Sequence, residues 1–154
     1  MTAYTNPLHA EVFPEIRKME AEIIRITLNL YNGSSESVGT VTSGGTESIV
    51  LAVKAYRDYA RYERGIRTPK ILVPHTVHAA FDKACQLLDC KIVHIPIDPV
   101  TMQVDVKKMR KEITSDVCLL VGSGPGYPHG IIDPIREISE LGLKYNIPVH
   151  VFTY

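Results

Sequence analysis

A mainly parallel α/β sheet with helices on both faces is the fold class this 154-residue sequence predicts, and three observations predict it. Short β-branched or apolar runs alternate with amphipathic stretches at helical period, the pattern of successive βαβ units. One run, Val117 to Val121, is almost wholly apolar, as a strand buried on both faces must be. Polar and glycine-rich turns, Ser43-Gly44-Gly45-Thr46, the segment around His78, and Gly122 to Gly130, follow predicted strands at their carboxyl ends, where open α/β sheets bind ligands.

The size suits one domain with a sizeable core. Residues 1–13 read as an extended lead-in in which Pro7 disfavours helix at Asn6. Residues 14–32 read as a long helix: Ile16, Met19, Ile23, Ile26 and Leu30 recur on one face, Pro14 suits the first turn, and Asn32-Gly33 ends it. Residues 38–154 read as an alternating strand and helix core. A strand over Val38–Thr42 passes through Ser43-Gly44-Gly45-Thr46 into a helix that runs to about Arg64, with Ile49, Ala52, Val53, Tyr56 and Ala60 inward and Gly65 as its stop. Lys70–Val73 is the next strand, ending at Pro74, and His75-Thr76-Val77-His78-Ala79-Ala80-Phe81 starts the next helix. Lys91–Ile97 is a strand, Val106–Ile113 a short helix, and Val117–Val121 the buried strand. Asp133 and Pro134 are expected as N-cap and first residue of the last helix, Asn146 closes it, and Val149–Tyr154 is a final strand.

Seventeen basic residues balance seventeen acidic ones, so no basic face is announced and nucleic acid is not an expected partner. No apolar run is long enough to span a bilayer and no basic-then-apolar leader opens the chain, so a soluble, cytoplasmic polypeptide is expected. Cys85, Cys90 and Cys118 form no CxxC pair and read as reduced, buried thiols; no metal site is expected.

The Ser43–Thr46 junction carries most of the chemistry. A helix start leaves backbone N–H groups without internal partners, the macrodipole adds positive charge there, and glycine lets an anion approach the bare backbone. The bland alternative is a glycine turn with a hydroxyl cap. The loop lacks the Lys-Ser/Thr ending of a P-loop, and Gly122-x-Gly124-x-x-Tyr127 lacks the last glycine of a dinucleotide fingerprint, which leaves a nicotinamide-binding reading on sheet architecture alone. His78, ahead of small Ala79-Ala80, is either a packed cap or an imidazole able to lie flat on a planar ligand. Asn6 and His9, taken alone, read as a capping segment.

Together, Asn6-Pro7-Leu8-His9, Thr42-Ser43-Gly44-Gly45-Thr46-Glu47-Ser48, Lys54-Ala55-Tyr56-Arg57-Asp58, His78-Ala79-Ala80-Phe81, Gly122-Ser123, Tyr127-Pro128-His129-Gly130 and Ile132-Asp133-Pro134 resemble the sphingosine-1-phosphate lyase family. That family is part of the group II decarboxylase branch of the fold type I pyridoxal-phosphate enzymes. The resemblance runs from Asn6 to about His150 and covers the first part of the family's catalytic domain. It implies a partial large domain, pyridoxal 5'-phosphate as cofactor, and retro-aldol cleavage of phosphorylated sphingoid bases to a fatty aldehyde and phosphoethanolamine. It implies that Gly44, Gly45 and Thr46 hold the cofactor phosphate, that His78 is the catalytic imidazole stacked on the ring, and that Ser123 is a polar residue beside it. Asn6 and His9 would meet the substrate's phosphate.

The same resemblance implies a dimer, or pairing with a full-length subunit, and an endoplasmic reticulum location for eukaryotic members. Two departures follow. The family's His-Val-Asp, whose aspartate pairs with the pyridine nitrogen, reads His150-Val151-Phe152 here, and the Schiff-base lysine's Thr-His-Lys segment does not occur. A truncated product, inactive alone, is therefore expected; a non-catalytic ligand-binding or subunit-pairing fragment and another group II decarboxylase are the alternatives.

Overall fold

The computed structural model describes residues 4–9 and 11–153. The chain divides into two compact units, Met1–Ser43 and Gly44–Tyr154.

In the first unit, helix α1 spans Pro14–Leu30 with proline in its first turn, as the sequence predicts. It ends on Asn32 in the left-handed region (φ 54°), with the Gly33 N–H donating to the Leu28 carbonyl at 2.7 Å. Asparagine tolerates that conformation through its short polar side chain, so the reversal needs no glycine at 32. No residue of α1 is buried; Met19, Ile23, Ile26 and Leu30 are all more than half exposed. Before the helix, the Asn6 Oδ1 accepts the Leu8 N–H at 3.0 Å and the His9 carbonyl accepts from Val12 and Phe13, which makes this segment a turn leading into α1. The strand expected over Val38–Thr42 does not form. β-branched residues favour a strand only when a neighbour completes the ladder, and here Val38, Gly39 and Val41 lie instead along α1 beside Ile23, Ile24 and Leu28.

The second unit is a four-stranded, wholly parallel sheet in the order β2-β1-β3-β4, built from β1 (Lys70–Pro74), β2 (Lys91–Ile95), β3 (Val117–Ser123) and β4 (Val149–Phe152). Around it run α2 (Gly45–Glu63), α3 (Ala80–Leu88), α4 (Val106–Lys111) and α5 (Ile135–Tyr145). Alternate strand residues face opposite layers. Ile71, Val73, Leu119 and Val121 pack with Ile49 and Val53 of α2 and Phe81 and Ala84 of α3, whereas Leu72 and Leu120 pack with Met109 of α4 and Ile138 and Leu141 of α5. β3 is buried along its whole length, as its apolar run predicts. Its register with β1 jumps from Lys70↔Val117 to Ile71↔Leu119, a bulge that places Cys118 and Leu119 in one cluster.

Two helix starts differ from expectation. α3 begins at Ala80, because His75 to His78 form a turn after Pro74, closed by the Val77 N–H on the Pro74 carbonyl. α5 begins at Ile135 with Pro134 as its cap, and Asp133, expected as the N-cap, is buried and bonded elsewhere. Asp89 and Asn146, both left-handed, close α3 and α5. Gly142 earns its place by packing: a Cβ there would collide with Val149 and come 2.8 Å from the Ile147 carbonyl.

Candidate functional site

Helix α2 fixes the first part of the site. The Arg64 guanidinium, at its C-cap, donates to the carbonyl of Val117, the first residue of β3, at 3.2 Å. Nineteen helical residues span about 28 Å and the seven residues of β3 about 23 Å, so the helix head reaches the carboxyl edge of the sheet. There the helix starts on Gly44 and Gly45 with no side-chain cap, and the Ser48 N–H makes the first turn by donating to the Gly44 carbonyl. A Cβ built on either glycine would meet nothing within 4 Å. Gly45 does not need a glycine's conformation, since its φ is not positive, and glycine at a helix start is a poor helix former. What glycine provides here is bare backbone facing open space, the geometry an anion needs at a helix N-terminus. Glu47 in the first turn adds one negative charge to that end.

His78 follows β1 and precedes α3. Its Nδ1 accepts the Ala80 N–H at 3.0 Å, which sets the ring's orientation and leaves the proton of the neutral imidazole on Nε2. The ring is half-buried and lies 5.4 Å, centroid to centroid, from Phe152 at the end of β4, with the planes at 49°. The contact begins a chain of rings: Phe152 meets Phe81 edge-on at 6.2 Å, Phe81 meets His150 at 5.8 Å, and His150 meets Tyr56 of α2 at 6.1 Å. Burial lowers the His150 pKa and raises that of Tyr56.

Ser123 ends β3 at 1% exposure. Its N–H donates to Asp133 Oδ2 at 2.8 Å and its carbonyl accepts the Asp133 N–H at 2.9 Å, but its Oγ has no hydrogen-bond partner among the described residues. Strand ends and helix heads thus bring Gly44, Gly45, Thr46, His78 and Ser123 to the carboxyl edge. Asn6 and His9 belong to the first unit. A cavity of about 460 Å³ lined by Tyr59, Gly142, Leu143, Asn146 and Pro148 contains none of these residues.

These residues fit a phosphorylated ring in part. The open glycine backbone suits a phosphate, the oriented imidazole offers a flat face, and the buried Ser123 hydroxyl is an unsatisfied group that a polar atom reaching it would satisfy. At position 152 the fit fails for a ring nitrogen, because Phe152 has no charge and is packed into the core. Among the described residues no group of three or more His, Cys, Asp or Glu side chains is placed to hold a metal, and no helix is long and apolar enough to cross a membrane. Sequence reasoning missed the long-range role of Asp133; Asp-Pro before a helix signals a cap, and nothing local distinguishes that from a bridge to a strand.

This architecture is a partial α/β domain of the fold type I pyridoxal-phosphate class. The chain belongs to the aminotransferase class-V family, whose model matches residues 11–151. It is 55% identical over 149 residues to sphingosine-1-phosphate lyase of Drosophila melanogaster, covering 97% of this chain and 27% of the relative. To sphingosine-1-phosphate lyase 1 of Rattus norvegicus it is 52% identical, covering 96% and 26%. The solved sphingosine-1-phosphate lyase of Burkholderia pseudomallei superposes with a TM-score of 0.92 at 38% identity, covering 97% of this chain and 36% of that one. Glutamate decarboxylase of Lactobacillus brevis shares the fold, with a TM-score of 0.83 at 21% identity over 99% of this chain and 37% of its own. The chain spans about a quarter of the length of the curated relatives it matches.

Proposed function

We propose that this chain forms the phosphate-holding and ring-facing part of a pyridoxal-phosphate site in a carbon–carbon lyase acting on phosphorylated sphingoid bases. The head of α2 carries the reading: Gly45 exposes bare backbone at a dipole end, where neither backbone strain nor packing within the second unit requires a glycine. The amides of Gly45 and Thr46 would hold the phosphate, His78 would cover one face of the ring, and Ser123 would bond a polar atom at its edge. Asn6 and His9 would meet the substrate's phosphate. The cofactor, when bound, would supply an electron sink for bond cleavage. Covalent attachment needs a lysine, and none of Lys54, Lys83, Lys91 and Lys144 lies in the Thr-His-Lys segment that the resemblance calls for; Lys91 starts a strand at the opposite edge and Lys54 is paired with Asp58 on α2. The 154-residue polypeptide tested alone would therefore bind pyridoxal phosphate without turnover.

The test is a titration of the chain with pyridoxal phosphate, followed by amide NMR and by borohydride trapping. Shifts at Gly45 and Thr46 together with His78 and the Ser123 strand end, without a trapped lysine or aldehyde product, are the expected result. Turnover with one trapped lysine would overturn the inactivity, and saturation without any shift at Gly45 and Thr46 would overturn the site.

A second reading has its own support in α1, whose apolar stripe of Met19, Ile23, Ile26 and Leu30 is exposed throughout. Such a face suits pairing with a second subunit. Sedimentation of the chain with a full-length lyase separates the two, because a subunit-pairing fragment would co-sediment and a stable monomer would not.

A further inference from the structure

Asp133 is 5% exposed and pairs with no cation among the described residues. A carboxylate held there must be compensated by hydrogen bonds, and it has two: Oδ2 accepts the Ser123 N–H at 2.8 Å and Oδ1 accepts the Val104 N–H at 2.9 Å. Its own N–H returns to the Ser123 carbonyl at 2.9 Å, so Asp133 and Ser123 clasp each other twice. Val104 belongs to a separate feature, the tight turn 98–103 closed by the Ile97↔Val104 bridge and by Asp98 accepting from Val100 and Thr101. One side chain therefore joins the carboxyl end of β3, that turn and the approach to α5. A second link, Gln103 Nε2 donating to the Ile132 carbonyl at 2.8 Å, runs parallel to it. Because the Ser123 amide and carbonyl are both taken by Asp133, the hydroxyl is the one polar group of Ser123 without a partner among the described residues, and it is itself shielded from solvent.

We infer that Asp133 is a positioning residue for the cofactor-facing hydroxyl of Ser123: its buried carboxylate fixes the strand end from which that hydroxyl is presented. The inference rests on the reading of the carboxyl edge as a pyridoxal-phosphate site. Asparagine at 133 preserves the shape but turns one acceptor into an N–H that opposes an amide, releasing either Ser123 or Val104.

The experiment measures pyridoxal phosphate affinity of the 154-residue chain as wild type, D133N, S123A and the double variant, alongside thermal unfolding of each. D133N should bind about tenfold more weakly, the scale of one lost charge-assisted hydrogen bond. In the S123A background D133N should cost nothing more, because Asp133 acts through the hydroxyl that is already gone. Equal penalties in both backgrounds, or wild-type affinity for D133N, would overturn the role, since a merely structural Asp133 weakens binding regardless of Ser123. Should D133N fail to fold, the wild-type NMR titration decides: the Ser123 and Val104 amides should shift together on binding, and a Ser123 shift with a still Val104 would overturn the linkage. Absence of any binding by the wild type would sink the cofactor reading itself, and that result is distinct from binding with additive penalties.

Discussion

The imidazole of His78 lies 5.4 Å from the ring of Phe152, which is itself packed edge-on against Phe81. Phe152 thus backs the histidine from the core side, and such ring pairs contribute about 0.5–1.5 kcal/mol beyond the area they bury. Phe152→Ala removes the backing and leaves a void beside Phe81, so it should cost about 3 kcal/mol of stability, within the usual range for a core phenylalanine. Urea unfolding checks it. A loss below about 1 kcal/mol would show that the end of β4 collapses freely and gives His78 no wall.

Phe152→Asp tests the same position with the opposite chemistry. Without ligand, a carboxylate at a site of 9% exposure beside Phe81 is uncompensated and should lower the melting temperature. The sequence resemblance implies that an aspartate here would meet the ring nitrogen, so pyridoxal phosphate should raise the melting temperature of the variant by more than that of the parent. Equal ligand-induced shifts would place position 152 out of reach of the ring.

Gly45→Ala should separate stability from binding. The added methyl meets nothing in the folded second unit and the backbone needs no adjustment, so reduced unfolded-state freedom should stabilise the chain by about 0.5 kcal/mol. The same methyl occupies the space a phosphate needs against the helix head, and pyridoxal phosphate affinity should fall at least tenfold, about 1.4 kcal/mol. Unchanged affinity in a titration would remove the cradle from the site.

The fold class was legible because burial imposes period: Val117 to Val121 reads as apolar because β3 is covered on both faces, and Gly44-Gly45 mark the head of α2 because they leave the backbone bare where the helical pattern begins. What stayed hidden depends on partners. The β-branched run at Val38–Thr42 has strand propensity, but propensity does not supply a neighbouring strand. The stripe Met19, Ile23, Ile26 and Leu30 marks one face of α1 correctly, but period says which face is apolar and nothing about what covers it. Asp133 looked like a cap because caps are local, whereas its bonds reach 10 residues back to Ser123 and 29 back to Val104. The turn at His75 to His78 reads as helix in sequence because small Ala79-Ala80 extends the helical pattern backwards, whereas the Val77 N–H closes a turn on the Pro74 carbonyl.

The three thiols should differ in reactivity. Burial pushes the Cys85 and Cys118 thiols up to about 12, and raises that of half-buried Cys90 while Arg57 and Arg61 pull it back. Relative to an ordinary thiol near 9.0, a group at about 12 holds roughly a thousandfold less thiolate at pH 8. A disulfide reagent at pH 8 should label Cys90 first, and Cys85 and Cys118 only at the rate of global unfolding. Labelling of all three at one rate in native buffer would contradict this packing.

His150 sets a pH dependence whose sign follows from its surroundings. Its ring sits between Tyr56 and Phe81, and burial holds its folded pKa below the ordinary 6.5. The neutral imidazole is the form this packing accepts, since neither neighbouring ring offers a charge to compensate an imidazolium. Above pH 6.5 folded and unfolded chains both carry the neutral form and His150 adds no slope. As the pH falls below 6.5 the unfolded chain takes up the proton first, so stability declines from there down through the lowered folded pKa, by at most about 1.4 kcal/mol per pH unit for one group. Below both values the slope from this residue vanishes and the loss stays constant. His150→Phe retains the edge contacts with Tyr56 and Phe81 and removes the titration, so its stability, measured by urea unfolding between pH 7.5 and 5, should fall less than that of the parent. Identical profiles for the two would show that water or a polar group reaches the imidazole and that the ring chain from Tyr56 to His78 is open at its second link.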